Sequence, residues 1–482
     1  EGLCTWEEAK AVRQRRQRER RMHKRKLIEH KFRPGKQPRT HLNSLTLDGV
    51  ETRDAERWEE ALRRHGLLMY SSTGERERTN SMLERRRCRL EEGFGSDYQP
   101  IDMGVLLRAR SRMKTGRAVG KDGISVSMLR CVPWSGLCVI LSSFQQLFKR
   151  RFCSPPQWRS ICISLMPKHA RVTDFTEMRA LSLLSCLSKW YMSCITLVAA
   201  DHLKRSVRPA CMLYGFAGDR RCHEITAIVK RMAQHSTEWG KSHSTCFATL
   251  DVERAFDHVT PEGLSRTMEE LNFPPELAFA MLEGQANCTA DFKFQEVEVC
   301  DLPWDRCVRT GSVEAPLGWI CESIVMFHDV CRTWDRHGVG IPLTAQTGHR
   351  RFSHAIWADN VILGAPTLVQ LRAMIRDMSI ALYARGYKWK PSSLEFIMFG
   401  DRPSVETPLE VCFPIPATTT EPDCSDKNPG KSVPAFSGVF LGTLSKRPRL
   451  HASTTVETTI TLRCVDKLVI LGTLLENGMW TH

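Results

Sequence analysis

Phe247-Ala-Thr-Leu-Asp251-Val-Glu-Arg-Ala-Phe256-Asp257-His-Val259 is the stretch on which the reading of the fold turns. It opens with a short β-compatible run and ends that run on an acid, Asp251. Past Ala255 and Phe256, Thr260-Pro261-Glu262-Gly263 favours a helix, with Thr260 as cap and Pro261 at the first helical position. An acid at the end of a buried strand is costly unless it is paired or bound to a metal. Taken alone, Asp251 is more often a helix cap or an ion-pair partner. Further on comes Phe352-Ser-His-Ala-Ile-Trp357-Ala358-Asp359-Asn360-Val-Ile-Leu-Gly364. It reads as two short strands around Ala358-Asp359-Asn360, whose Asp and Asn suit a tight hairpin turn. By itself such a turn is ordinary.

The pair says more than either segment. A strand-end Asp and a hairpin-tip Asp on neighbouring strands could hold two Mg²⁺ ions between them, since Mg²⁺ takes hard oxygen ligands and keeps waters and substrate phosphates in its other positions. Two ions about 3.5–4 Å apart would activate an attacking 3′-hydroxyl and stabilise a leaving pyrophosphate.

In order and spacing these segments resemble the reverse transcriptase domain, especially that of non-LTR (LINE-like) retrotransposons. In that family one strand carries Asp-x-x-x-Ala-Phe-Asp, here Asp251 to Asp257, and a later hairpin carries an aromatic-Ala-Asp-Asp tip, here Trp357 to Asn360. The resemblance implies that Asp251 and Asp359 are catalytic and bind metal, with the Val252 carbonyl and Asn360 beside them. It also implies that Phe256 lies under the sugar of the incoming nucleotide and favours deoxynucleotides. The implied cofactor is a pair of Mg²⁺ ions, with Mn²⁺ as a substitute. The implied partners are an RNA template, a DNA primer and dNTPs.

Other segments follow in the family's order. Gly116-Arg-Ala-Val-Gly120-Lys-Asp-Gly123 resembles a Gly-rich signature ahead of the fingers, and Trp158 to Lys168 resembles a strand ending in Pro-Lys. Met178-Arg179 to Lys189 resembles Arg-Pro-Ile-Ser-Leu-…-Lys. Lys168 and Arg179 would be the cations that neutralise the triphosphate, one as a point charge and one as a planar fork. Leu213 to Arg221 resembles a loop ahead of a helix over 222–234, with Arg220 and Arg221 able to touch a nucleic-acid backbone. A solvated loop is an equal reading. Gly311-Ser-Val-Glu314-Ala315-Pro316 stands where the family has Gly-x-x-Gln-Gly-x-Pro, beside the nascent base pair, with a helix expected over 320–330. Gly386 to Glu395 resembles Gly-x-x-x-Asn-x-x-Lys-Thr-Glu. Leu471-Gly472 resembles the turn that positions the primer end.

Three departures stand out. Asn360 replaces the second Asp of the hairpin tip, offering an oxygen but no charge, so metal affinity should fall. Glu314 stands in place of Gln. Ser393 stands in place of the Lys associated with pyrophosphate departure. Two functional readings follow: an RNA-directed DNA polymerase with activity open to erosion, and a catalytically inactive, nucleic-acid-binding remnant. A third, a basic-helix binding protein with a merely structural body, is disfavoured by the ordered series.

Composition is consistent with this. The 482 residues carry a net charge of +15, with 42% hydrophobic and 26% charged residues, enough apolar content for a substantial core. The charge is concentrated in an N-terminal arm running from Lys10 to Arg39. Such a run suits a polyanion partner or a nuclear localisation signal, and equally a solvated helix. The 19 cysteines contain no Cys-x-x-Cys pair, which argues against a zinc ribbon. Their odd number fits reduced thiols in an intracellular protein, in the nucleus or cytoplasm. No secretory signal or membrane span is expected, and the start at Glu1 reads as a piece of a longer frame.

The expected fold class is α+β: a right-hand polymerase with fingers, an antiparallel palm sheet backed by helices, and a thumb mostly missing. The expected divisions are a basic, mostly helical extension (1–100), fingers and connecting helices (101–244), and a palm (245–400). A Pro/Thr/Ser-rich linker or insertion (401–463) and a primer-grip-like strand with the start of a thumb (464–482) follow.

Overall fold

The computed structural model describes most residues between 45 and 476; outside it lie 1–44, 93–97, 168–173, 207–220, 239–244, 344–350, 400–407, 417–454, 477–482 and a few single or short positions between elements, among them 117, 150–153 and 472. The basic arm and most of the Pro/Thr/Ser-rich segment therefore fall outside the described residues, as do Lys168, Arg220 and Gly472.

The fold is α+β. Its main sheet has six strands in the order His354–Trp357, Asn360–Ala365, Thr245–Asp251, Glu395–Phe399, Thr455–Cys464, Leu409–Pro416. Thr245–Asp251 is central, and all of it but Asp251 is buried. Both of its faces are apolar because both are covered. Cys246, Ala248 and Leu250 pack with the long helices Ala315–His337 and Leu368–Tyr383. On the other face Phe247 packs with Ile225 and Val229 of helix Cys222–Glu238, and with Leu468 and Ile470 of a terminal hairpin. The sheet is not purely antiparallel as expected. Glu395–Phe399 and Thr455–Cys464 run parallel, because the chain crosses over through Leu409–Pro416 before returning to pair there.

A second sheet, in the order Met178–Leu183, Ser160–Pro167, Cys288–Phe294, Val297–Trp304, draws strands from both sides of the expected division at 244/245. Its apolar face is covered by helix Ala55–Tyr70 through Trp58, Leu62 and Tyr70. This part of the N-terminal extension is thus docked on the body. The segment 401–463 also differs from expectation. Leu409–Pro416 and Thr455–Cys464 pair in register from Leu409↔Leu462 to Pro416↔Thr455. Leu409, Val411 and Phe413 alternate inward, and the prolines of this strand are tolerated because it is the edge strand.

Local signals account for several elements. Thr260 accepts from the Gly263 N–H at 3.0 Å, with Pro261 opening the helix Pro261–Glu270. Gly120 passes so close to Leu184 and Ser185 that a Cβ there would lie 2.5 Å from a backbone nitrogen. Among the described residues the cysteines are free, some buried (Cys194, Cys246, Cys321) and some at the surface (Cys88, Cys131, Cys300). No helix of the described residues is long and apolar enough to cross a membrane.

Candidate active site

Asp251 ends the central strand, and its backbone is held on both sides. Its register partner is Asn360, the first residue of the neighbouring strand. Trp357 pairs with Asn360, so the hairpin tip is Ala358-Asp359. Asn360, expected at the tip, stands instead in the ladder beside Asp251. The tip adopts a two-residue turn with Ala358 at φ +56°. It is pinned twice: the Val252 N–H donates to the Asp359 carbonyl at 2.9 Å, and Trp319 Nε1 donates to the Ala358 carbonyl at 2.5 Å. On the other flank, the Lys390 N–H donates to the Asp251 carbonyl at 2.8 Å. The Asp251 N–H donates to Ser393 Oγ at 3.1 Å, and that hydroxyl donates to the Lys390 carbonyl at 2.8 Å.

The electrostatics follow from this placement. Burial pushes the Asp251 carboxyl up to about 6, with the Asp359 charge adding to the rise and Lys390 opposing it. Burial raises Asp359 as well, against its own backbone N–H, Lys390 and Arg179. Lys390 Nζ stands 3.7 Å from Asp251 Oδ2 and is half exposed. The Asn360 Oδ1 is shut off from solvent and has no hydrogen-bond partner among the described residues. Two crowded, partly desolvated carboxylates with a spare buried oxygen beside them make a set of hard donors that a divalent cation would satisfy. The residues present fit such an ion.

Around this centre, Phe256 is half-buried, with its ring 6.3 Å from Trp319, which in turn meets Tyr387 edge-on at 5.5 Å. Pro316 lies in the first turn of helix Ala315–His337. Arg179 is exposed on its strand, and its charge reaches Asp359. Arg221 is exposed just ahead of helix Cys222–Glu238, which continues past the expected end at 234. Leu471, at φ +49°, sits in the turn between Lys467–Ile470 and Thr473–Glu476. The structure does not bring Arg221 or Leu471 into hydrogen bonds or ion pairs with the two carboxylates.

Four residues gain roles that the motifs did not give them. Lys390 brings a cation to Asp251. The alternation in Tyr387-Lys388-Trp389-Lys390, with Tyr387 and Trp389 buried, is the signal in the chain that points to it. Ser393 clamps Asp251, and Trp319 ties the helix to the hairpin tip. Glu314 is wholly buried and paired with the equally buried Arg309 at 2.7 Å, so the acid found in place of Gln has its own counter-charge.

A partly buried carboxylate pair at the junction of a strand and a hairpin is the centre of the candidate site. The family of the reverse transcriptase (RNA-dependent DNA polymerase) matches residues 166–422, and the chain belongs to it. The chain is also similar to the Transposon TX1 uncharacterized 149 kDa protein of Xenopus laevis, 25% identical over 315 residues. That likeness covers 64% of this chain and 22% of the relative, so the chain spans about a fifth of that protein's length. Together they support a reverse transcriptase domain of the non-LTR retrotransposon kind.

Proposed function

We propose that the chain is an RNA-directed DNA polymerase of a LINE-like retroelement, extending a DNA 3′-end along an RNA template with dNTPs. The observation that carries this reading is the meeting of Asp251, Asp359 and the unpartnered Asn360 oxygen at one strand–hairpin junction. In this reading the six-stranded sheet is the palm and the four-stranded sheet belongs to the fingers. The terminal hairpin carries the primer-positioning turn at Leu471-Gly472.

Asp251, Asp359, Asn360 and the Val252 carbonyl would hold two Mg²⁺ ions, which when bound supply activation of the 3′-hydroxyl and neutralisation of the pyrophosphate. The protein's own groups do the rest. Ser393 and the Lys390 N–H fix the Asp251 backbone, so its carboxylate is aimed before substrate arrives. Phe256, braced by Trp319, bars a ribose 2′-hydroxyl. Arg179, with Lys168, takes triphosphate charge, and Pro316 starts the helix that flanks the nascent pair. Arg220 and Arg221 meet the nucleic-acid backbone. Lys390 supplies a cation from the same segment in which Ser393 replaces the family's Lys. Two of the three departures thus have contacts of their own, Glu314 with Arg309 and the Ser393 segment through Lys390, while the Asn360 oxygen is left open for an ion, and this favours a working site over an eroded one.

Primer extension on an RNA template with dNTPs and Mg²⁺ tests the reading. Synthesis is expected from the wild-type chain, with activity reduced at least about a hundredfold in Asp251→Ala and Asp359→Ala, as for removal of a group that stabilises charge in the transition state. Folded protein that binds template–primer and makes no product would point to the inactive remnant instead.

A further inference from the structure

Away from the carboxylates, a cavity of about 270 Å³ opens between helix Met103–Arg112, helix Cys186–Ser206 and the loop ahead of Glu314. Arg112, Lys114 and Lys189 line it together with Thr196, Gly311 and Val313, and no carboxylate does. Arg112 and Lys114 are exposed at its rim, and Lys189 is half-buried inside. Among the described residues the Lys189 ammonium has no ion-pair partner. Burial lowers its pKa, and the nearby acid Glu314 is already bound to Arg309. Thr196 Oγ1 is buried without a hydrogen-bond partner among the described residues, although a helical threonine would ordinarily bond back to its own helix. Three cations and a spare hydroxyl facing one cavity are an unmet demand for an anion with several oxygens.

The cations that act on Asp251 and Asp359 are Lys390 and Arg179, and none of the cavity's cations is among them. The cavity is therefore a separate subsite. The loop 311–314 on its wall leads directly into the helix whose Trp319 is bonded to the hairpin tip.

We propose that Arg112, Lys114, Lys189 and Thr196 form a binding site for a backbone phosphate of the nucleic-acid strand that the protein copies. The choice of nucleic acid as ligand rests on the polymerase reading. The same chemistry could draw the phosphates of a free nucleotide, and the experiment separates the two sources.

The test measures binding of a labelled RNA–DNA template–primer to the full chain by anisotropy across a salt series, alongside nucleotide KM in primer extension. Removing one phosphate–cation interaction lowers the slope of log affinity against log salt by about 0.7–0.9. Lys189→Gln and the double variant Arg112→Gln/Lys114→Gln should weaken binding and flatten the slope by about that amount for each cation removed. Lys189→Arg should retain the slope, and Thr196→Val should weaken binding with the slope unchanged. Nucleotide KM should stay as in the wild type. An unchanged slope in folded Lys189→Gln protein overturns the proposal, and so does an effect confined to nucleotide KM. A wild-type chain that binds no template–primer overturns both this and the polymerase reading. A slope change in a chain that makes no product supports the phosphate site while the polymerase reading falls.

Discussion

Asp251 enters the folded state at an electrostatic cost, and that cost has a pH signature. Its folded pKa, about 6, lies above the ordinary value of 3.8. Between those two values the native state binds more protons than the unfolded one, so this group's contribution to stability falls as pH rises. The full effect is at most about 3 kcal/mol. Urea unfolding of the metal-free chain at pH 4 and pH 7 should show a larger fall in the wild type than in Asp251→Asn, where the raised Asp359 still contributes. Added Mg²⁺ at pH 7 should recover stability in the wild type alone. Glu314 offers a second test. Glu314→Ala strands a buried Arg309 and should cost about 3–5 kcal/mol in the same assay, whereas Arg309→Met/Glu314→Gln should cost much less. Both aspartates are legible in the chain because a family pattern and a strand-end position coincide at them. Alternation places Lys390 on the exposed side of its segment, but its pairing with the distant Asp251 leaves no spacing in the chain, and Arg309, though only five residues from Glu314, is recognisable as its partner only once both are buried. Ser393 reads in sequence only as a missing lysine, and its hydroxyl acquires meaning once the strand beside it is in place.

At the scale of elements, the hairpin tip and the helix caps carry the local precision. Ala358 holds a left-handed conformation that costs an L-residue roughly 1–2 kcal/mol. Ala358→Gly should therefore stabilise the chain, and Ala358→Val should destabilise it, as read by the thermal midpoint. Thr260→Ala should cost about 1 kcal/mol by removing the cap. That cap is legible because Thr-Pro carries its own helix-start chemistry. The strands Leu409–Pro416 and Thr455–Cys464 are hidden for the converse reason. Proline and threonine in a short stretch look like a connection, and only edge placement reconciles Pro414 and Pro416 with a strand. The mixed direction of the sheet is likewise out of reach, since which strands become neighbours is decided by packing of both faces at once.

For the whole molecule, the main sheet joins residues 245–251, 354–365, 395–399, 409–416 and 455–464. Pro416 and Thr455 are register partners, so the intervening residues begin and end at adjacent points. Replacing 417–454 with a short Gly/Ser turn should leave the fold intact and raise the thermal midpoint slightly, because a shorter connection between two paired strand ends costs less entropy to close than a longer one. A collapse of the midpoint would mean that the excised residues pack on the body. The central strand has a further consequence for how the protein is made. Both of its neighbours lie later in the chain, and the hydroxyl that fixes Asp251 arrives only with Ser393. During synthesis the acid must remain in water until the strand Glu395–Phe399 has left the ribosome. A nascent chain stopped before that point carries an apolar strand with at least the edge that Glu395–Phe399 covers left open, a species prone to join another copy of itself. The candidate site is thus among the last parts of its domain to close, and translation speed between Asp251 and Phe399 sets how long that exposed strand must wait.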